Sequence, residues 1–217
     1  MIRTPFDFYA AISGTSQRFR GLLPQAQTTQ RLRLRALLRR NAGTEFGRRH
    51  GFASIRDEAG YRARVPVTTY DQLESSIQRM ARGEAGVLVA DPVVAFEETG
   101  GSTSGSKLIP HTEASLQAIR GALVPWLDDL AQACPAIARG RAYWSVSPAT
   151  RIPRATPAGA RIGLADAEYF GADLAPLLAE TLAVVPGGGG QDMERWREET
   201  RRQLAACRDL ALISVWS

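Results

Sequence analysis

Along Gln30 to Asn41, QRLRLRALLRRN, the leucines Leu34, Leu37 and Leu38 recur at helical spacing while Arg31, Arg35 and Arg39 form an i, i+4 row. That pattern predicts an amphipathic helix, which Asn41-Ala42-Gly43 stops. The first 50 residues as a whole read as helical and basic. After Val65-Pro66, the run Thr69-Tyr70-Asp71 opens a helix through Met80 that Gly83 ends. GVLVADPVVAF, Gly86 to Phe96, predicts one or two short β segments, broken at Asp91-Pro92.

Further on, Leu108-Ile109-Pro110 predicts a short extended piece, because Pro110 disfavours the helical conformation at Ile109. Thr112 is placed to cap a helix through SLQAIRGALVPWLDDLAQA, with a kink expected near Pro125. Arg141 to Pro148, RAYWSVSP, alternates as a strand does. A Gly/Pro-rich bend from Arg151 to Gly163 precedes a helix expected from Leu174 to Leu182. Pro186 to Gly190 is a low-complexity, flexible connector without chemistry. Asp192 then opens a charged helix to about Arg208, and LALISVWS closes the chain as an apolar strand expected to be buried. Helices alternating with strands define an α/β chain: a helical N-terminus, then a mixed or parallel sheet with flanking helices. A buried parallel strand is normally followed by a helix that covers it. The chain is therefore expected to be the N-terminal portion of something longer, or to have its last strand completed by a partner.

Composition narrows the function classes. With 217 residues, 44% hydrophobic and 23% charged, the chain has enough apolar surface for a sizeable core. A formal net charge of +5 suits an anionic ligand without requiring nucleic acid. No aromatics interleave with the Arg31, Arg35, Arg39 row, so a solvated helix face is expected there rather than a nucleic-acid surface. Cys134 and Cys207 have no metal-type spacing and read as reduced thiols of a cytoplasmic protein. The two histidines, His50 and His111, have no second ligand at metal spacing, so no zinc is expected. Asp7 interrupts the apolar N-terminal stretch and no other run reaches bilayer length, so no membrane partner is expected.

The most distinctive chemistry lies in Glu98 to Lys107, ETGGSTSGSK, which ends on the single lysine among 27 basic residues. Lysine is a compact point charge on a flexible stem, suited to a mobile phosphate. Gly100 and Gly105 have the separation of a P-loop, but Ser106-Lys107 reverses the required order and Leu-Ile-Pro follows where a helix should begin. A bland Gly/Ser surface loop is a common alternative. Against it, the segment sits between an apolar strand and a capped helix and carries two threonines and the lone lysine. The third reading is a nucleotide phosphate loop. Gly100, Gly101 and Gly105 let the backbone approach a triphosphate, and Thr99, Ser102, Thr103 and Ser104 offer hydroxyl donors. Backbone N–H groups add a nest, and Lys107 adds charge.

The order T-G-G-S-T-S-G-S-K resembles the Ser/Thr/Gly-rich signature of adenylate-forming enzymes. The wider chain is similar to the auxin-responsive Gretchen Hagen family of acyl-acid amido synthetases. The similarity runs through NAGTEFGRRHGF, RARVPVTTYDQL, ARGEAGVLVADPVVAF, KLIPHT and the final ALISVWS, in the family's order. The resemblance implies binding of a carboxylic acid and ATP with its Mg²⁺, formation of an acyl-adenylate, and transfer of the acyl group to an amine such as an amino acid. It implies that Thr99 to Gly105 hold the phosphates, Ser102 and Thr103 above all, while Lys107 neutralises pyrophosphate or steadies the loop. It also implies that residues 1–217 are an incomplete large domain, inactive alone, without the adenine-binding motifs and the smaller C-terminal domain. The chain departs from the family in having Gly100 where Ser or Thr is usual. No carboxylate is marked as the Mg²⁺ ligand, and no residue as catalytic.

Other residues leave alternatives open. His111 either contacts substrate or flanks the helix as an ordinary polar residue. Tyr143 and Trp144 either wall an acyl pocket or pack in the core, the commoner fate of strand aromatics. Glu97 and Glu98, adjacent in sequence, are not placed to form an acid/base couple. A non-catalytic binding module and an arginine-based nucleic-acid binder remain as readings from other classes.

Overall fold

A computed structural model describes residues 4–99, 107–145, 154–185 and 193–215. Among them, in chain order, run α1 (Pro5–Ile12), α2 (Thr15–Gly21), α3 (Ala26–Asn41), α4 (Glu45–Arg49), α5 (Glu58–Arg64) and α6 (Tyr70–Ala81). These are followed by β1 (Val93–Thr99), β2 (Lys107–Thr112), α7 (Glu113–Ala133), β3 (Arg141–Ser145), β4 (Arg154–Ala155) and β5 (Arg161–Ile162). The chain continues through α8 (Gly171–Ala179), α9 (Met193–Ala206) and β6 (Leu210–Val215). The architecture is α/β: a helical N-terminus followed by mixed sheet with flanking helices. The chain divides into two compact units.

The unit formed by Gly21–Ala114 and Ala155–Ile162 carries a four-stranded sheet in the order β2-β1-β5-β4. β1 is antiparallel to β2 and parallel to β5. α6 forms where the Thr69 signal predicts it, since the Gln72 side chain reaches back 2.8 Å to the Thr69 N–H. It ends where Gly83 adopts the left-handed conformation, φ +89°. Ile77, Met80 and Ala81 of α6 bury against Val87, Phe96 of β1 and Ile162 of β5. Phe96 is fully buried, worth roughly 1.5–3 kcal/mol in transfer from water.

The segment before β1 departs from expectation. Strand begins only at Val93, and Gly86 to Ala90 is irregular. The carbonyls of Gly86 and Val87 are committed elsewhere: they accept the N–H groups of Glu45 and Phe46 at 2.7 and 3.0 Å, satisfying the first turn of α4. Gly86 takes φ +69°, and Pro92 has no N–H to give a ladder. α3 matches its predicted helix, with a narrower apolar face. Leu38 is buried and Leu34 half-buried, whereas Leu37 is 60% exposed. Arg31, Arg35 and Arg39 are exposed, Arg35 donating from Nε to the Arg56 carbonyl at 3.0 Å.

The second unit comprises Met1–Arg20, Ser115–Arg154 and Gly163–Ser217. Its core joins Phe8, Tyr9 and Ile12 of α1 to Val124 and Leu127 of α7 and Leu178 of α8, together with Ile137 and Phe170 from the connecting segments. Burial pushes the Tyr9 phenol up to about 12. α7 runs unbroken across Pro125. β3 pairs in parallel with β6, Tyr143 opposite Ile213. The last part of the expected strand (146–148), the first part of the predicted bend (151–153) and the connector (186–190) lie outside the described residues.

Two expectations are corrected in this unit. The helix predicted over Leu174 to Leu182 is α8, starting and ending three residues earlier, at Gly171 and Ala179. Leu182 instead forms a parallel bridge with Ala142 of β3, flanked by Ala142 N–H donating to the Thr181 carbonyl and Ala183 N–H to the Ala142 carbonyl, each 2.7 Å. With the Thr181 carbonyl and the Ala183 N–H committed to β3, the helix cannot continue through them. β6 is also less buried than its apolar sequence predicts, with Ile213 61% and Val215 62% exposed.

Candidate phosphate-binding hairpin

The β1–β2 ladder builds the candidate site from its two edges inward. Its register pairs Ala95 with His111, Phe96 with Pro110, Glu98 with Leu108 and Thr99 with Lys107. Thr99 and Lys107, the two ends of the Ser/Thr/Gly-rich segment, are thereby set side by side at the tip of an antiparallel pair. Pro110 is tolerated because β2 is the edge of the sheet. Gly100, Gly101, Ser102, Thr103, Ser104 and Gly105 lie outside the described residues. Of the predicted site residues the structure therefore places Thr99, exposed, and Lys107, half-buried.

Tyr70 is the neighbour that sequence reasoning did not single out. It is the first residue of α6, next to the Thr69–Gln72 cap. Its ring lies 5.2 Å from the Lys107 ammonium, measured to the ring centroid. Its hydroxyl accepts the Leu108 N–H at 2.9 Å. The sole signal for this role was its place directly after a helix cap, which fixes backbone and not partner.

Around the ladder, Glu97 and Glu98 fall on opposite faces of β1, as successive strand residues must, so they form no acid/base couple. His111 is buried beside β1; desolvation holds its pKa below the ordinary histidine value, with the Glu97 charge opposing that shift. An imidazole so placed is neutral at pH 7. Trp144 packs edge-on against Phe170 and Trp126, at 6.1 and 6.4 Å between centroids, as a core aromatic does. Among the described residues no group of three or more His, Cys, Asp and Glu side chains gathers to hold a metal. Cys134 and Cys207 are free thiols. No helix among the described residues is long and apolar enough to cross a membrane.

The fold is shared with solved acyl acid amido synthetases. AtGH3.15 acyl acid amido synthetase in complex with 2,4-DB superposes with TM-score 0.63 at 22% identity, covering 78% of this chain and 29% of that one. A second GH3.15 acyl acid amido synthetase structure gives TM-score 0.65 at 21% identity, covering 87% and 33%. Residues 15–178 match the GH3 family N-terminal domain, and the chain belongs to that family.

Named relatives follow the same line. A probable indole-3-acetic acid-amido synthetase GH3.12 of Oryza sativa subsp. japonica is 45% identical over 83 residues, 38% of this chain and 14% of that protein. Jasmonoyl--L-amino acid synthetase GH3.3 of the same organism is 38% identical over 92 residues, 42% and 20% of the two lengths. Indole-3-acetic acid-amido synthetase GH3.6 of Arabidopsis thaliana is 31% identical over 124 residues, 55% and 20%. The matched stretches thus span at most a fifth of these curated relatives.

Proposed function

We propose that this chain supplies the phosphate-binding part of an ATP-dependent acyl-acid amide ligase acting on a small carboxylic acid and an amine such as an amino acid. The observation that carries the reading is the pairing of Thr99 with Lys107 at one hairpin tip, within a segment that matches the amido synthetase family. In the first half-reaction the substrate carboxylate oxygen attacks the α-phosphorus of ATP, the bond to the bridging oxygen breaks, and pyrophosphate leaves. In the second, the amine nitrogen attacks the acyl carbon and AMP leaves. Both steps gain from positioning and from stabilising negative charge on the phosphates, without a protein nucleophile.

The roles follow from donor chemistry. Hydroxyls of Thr99, Ser102, Thr103 and Ser104 donate to phosphate oxygens, Gly100, Gly101 and Gly105 admit close backbone approach, and Lys107 neutralises the departing pyrophosphate. Mg²⁺ would accompany the ATP, as it usually does with nucleotides, and would supply further charge neutralisation at the phosphates beside Lys107 and the hydroxyl donors. The same reading has the protein act in the cytoplasm, where ATP and amino acids are supplied.

Calorimetric titration of the chain with ATP and Mg²⁺ tests the proposal. Lys107→Ala is expected to weaken binding about tenfold, the loss of one charge-assisted contact, and Thr103→Ala by a few-fold. Binding that is absent in the wild type, or identical in all three proteins, overturns it.

A further inference from the structure

We infer that Tyr70 is the positioning residue for Lys107, a second anchor that sets where the ammonium waits at the exit of the loop; this rests on the phosphate-binding reading above. Two contacts from one side chain converge on adjacent residues of β2. The ring faces the Lys107 ammonium at 5.2 Å, and the hydroxyl takes the Leu108 N–H at 2.9 Å. β2 is an edge strand, and an edge strand presents N–H groups that its single neighbour does not use. Tyr70 takes up one of these and so pins the strand immediately after the lysine.

The ring contact differs in kind from an ion pair. Among the described residues the Lys107 ammonium makes no ion pair, whereas an aromatic face attracts a cation without cancelling its charge. An ammonium resting on a ring keeps its charge and its remaining N–H donors for a phosphate. A carboxylate in the same place would neutralise it. Holding a long, flexible side chain near its working position beforehand also lowers the ordering cost that binding would otherwise impose. Tyr70 can do this because it sits at the rigid start of α6, where the helix cap fixes its backbone and Ile77, Met80 and Ala81 bury the helix's inner face.

The single lysine makes the test unusually clean, since ¹³C-lysine labelling yields one side-chain signal set. In the wild type the Lys107 ε-methylene is expected upfield of its position in Tyr70→Leu, because the ring shields it. Tyr70→Phe keeps that shielding while moving the Leu108 amide signal. Titration with magnesium pyrophosphate should shift the Lys107 signal in all three proteins, with affinity in Tyr70→Leu reduced roughly two- to fivefold, the cost usual for one such exposed contact. Tyr70→Phe is expected to retain the ring-dependent share of the affinity. If the wild-type lysine signal ignores pyrophosphate, the phosphate reading itself fails. If it responds and neither variant changes its position or affinity, or if Tyr70→Phe loses the shielding, the role of Tyr70 is overturned. Amide spectra of each variant identify a failure to fold, and Tyr70→Phe, the milder change, then decides.

Discussion

One carboxylate oxygen of Asp128, on α7, accepts both the backbone N–H and the hydroxyl of Ser16, on α2, at 2.8 and 2.7 Å. Its other oxygen accepts from Gln132 at 2.9 Å, and both Asp128 and Ser16 are buried. Two segments 112 residues apart in sequence are thereby fastened inside one unit. Removing one member leaves buried donors without a partner, which costs more than the net worth of the bonds. Asp128→Ala is expected to lose about 2–4 kcal/mol in urea unfolding, and Ser16→Ala about 1 kcal/mol.

The same carboxylate sets an acid dependence. Burial acts to raise the Asp128 pKa, but hydrogen bonds from Ser16, Gln132 and Thr15 outweigh it and the net direction is down. A depressed carboxylate pKa contributes stability in full above the unfolded value of about 3.9, and loses it as pH falls through the folded value. The stability gap between wild type and Asp128→Ala should therefore narrow on acidification below about pH 4. His111, also depressed, acts with the same sign in a higher window. Its share is complete above the unfolded histidine value near 6.5 and is lost as pH falls from there toward the folded value. His111→Gln should flatten that part of the pH–stability curve.

Two glycines separate close packing from helix propensity. A Cβ on Gly47 would lie 2.0 Å from the Asn41 carbonyl oxygen, and Gly47 also donates its N–H to the Thr44 hydroxyl that caps α4. Gly47→Ala is expected to cost about 2 kcal/mol or more, since backbone must move. Gly121, in α7, has nothing within 4 Å of such a Cβ. Gly121→Ala should raise stability by about 0.5–1 kcal/mol, read from thermal or urea midpoints.

A pair of leucine truncations tests the assignment of faces. Leu127, fully buried in the α1–α7–α8 core, should lose about 2–5 kcal/mol as Leu127→Ala. Leu37→Ala, on the exposed side of α3, should stay within about 0.5 kcal/mol of wild type.

Where local chemistry decides structure, the chain is legible from its residues. Thr69 and Gly83 mark α6 because caps act within a few residues, and Pro110 marks extended β2 because its ring disfavours the alternative at Ile109. Legibility ends where a distant partner takes the backbone. Gly86-Val87 looks like strand but serves the first turn of α4, and Leu182 looks like the end of a helix but bridges to Ala142. Spacing could not reveal Leu37 as exposed, since several residues at helical intervals compete for one narrow stripe. At the site, the loop's composition was visible in sequence. Tyr70 was not, because only the fold brings residue 70 against residues 107 and 108.

The central claim is that the hairpin tip ending on Lys107 meets a polyphosphate, and the lone lysine allows it to be tested by chemical protection. An amine-reactive acylating reagent can modify only Lys107 and the N-terminal amine, which serves as the internal control. Mass spectrometry of the chain treated with and without magnesium ATP is expected to show acylation of Lys107 slowed severalfold by the nucleotide, with the N-terminal amine unaffected. Equal labelling of Lys107 at saturating nucleotide would contradict the account.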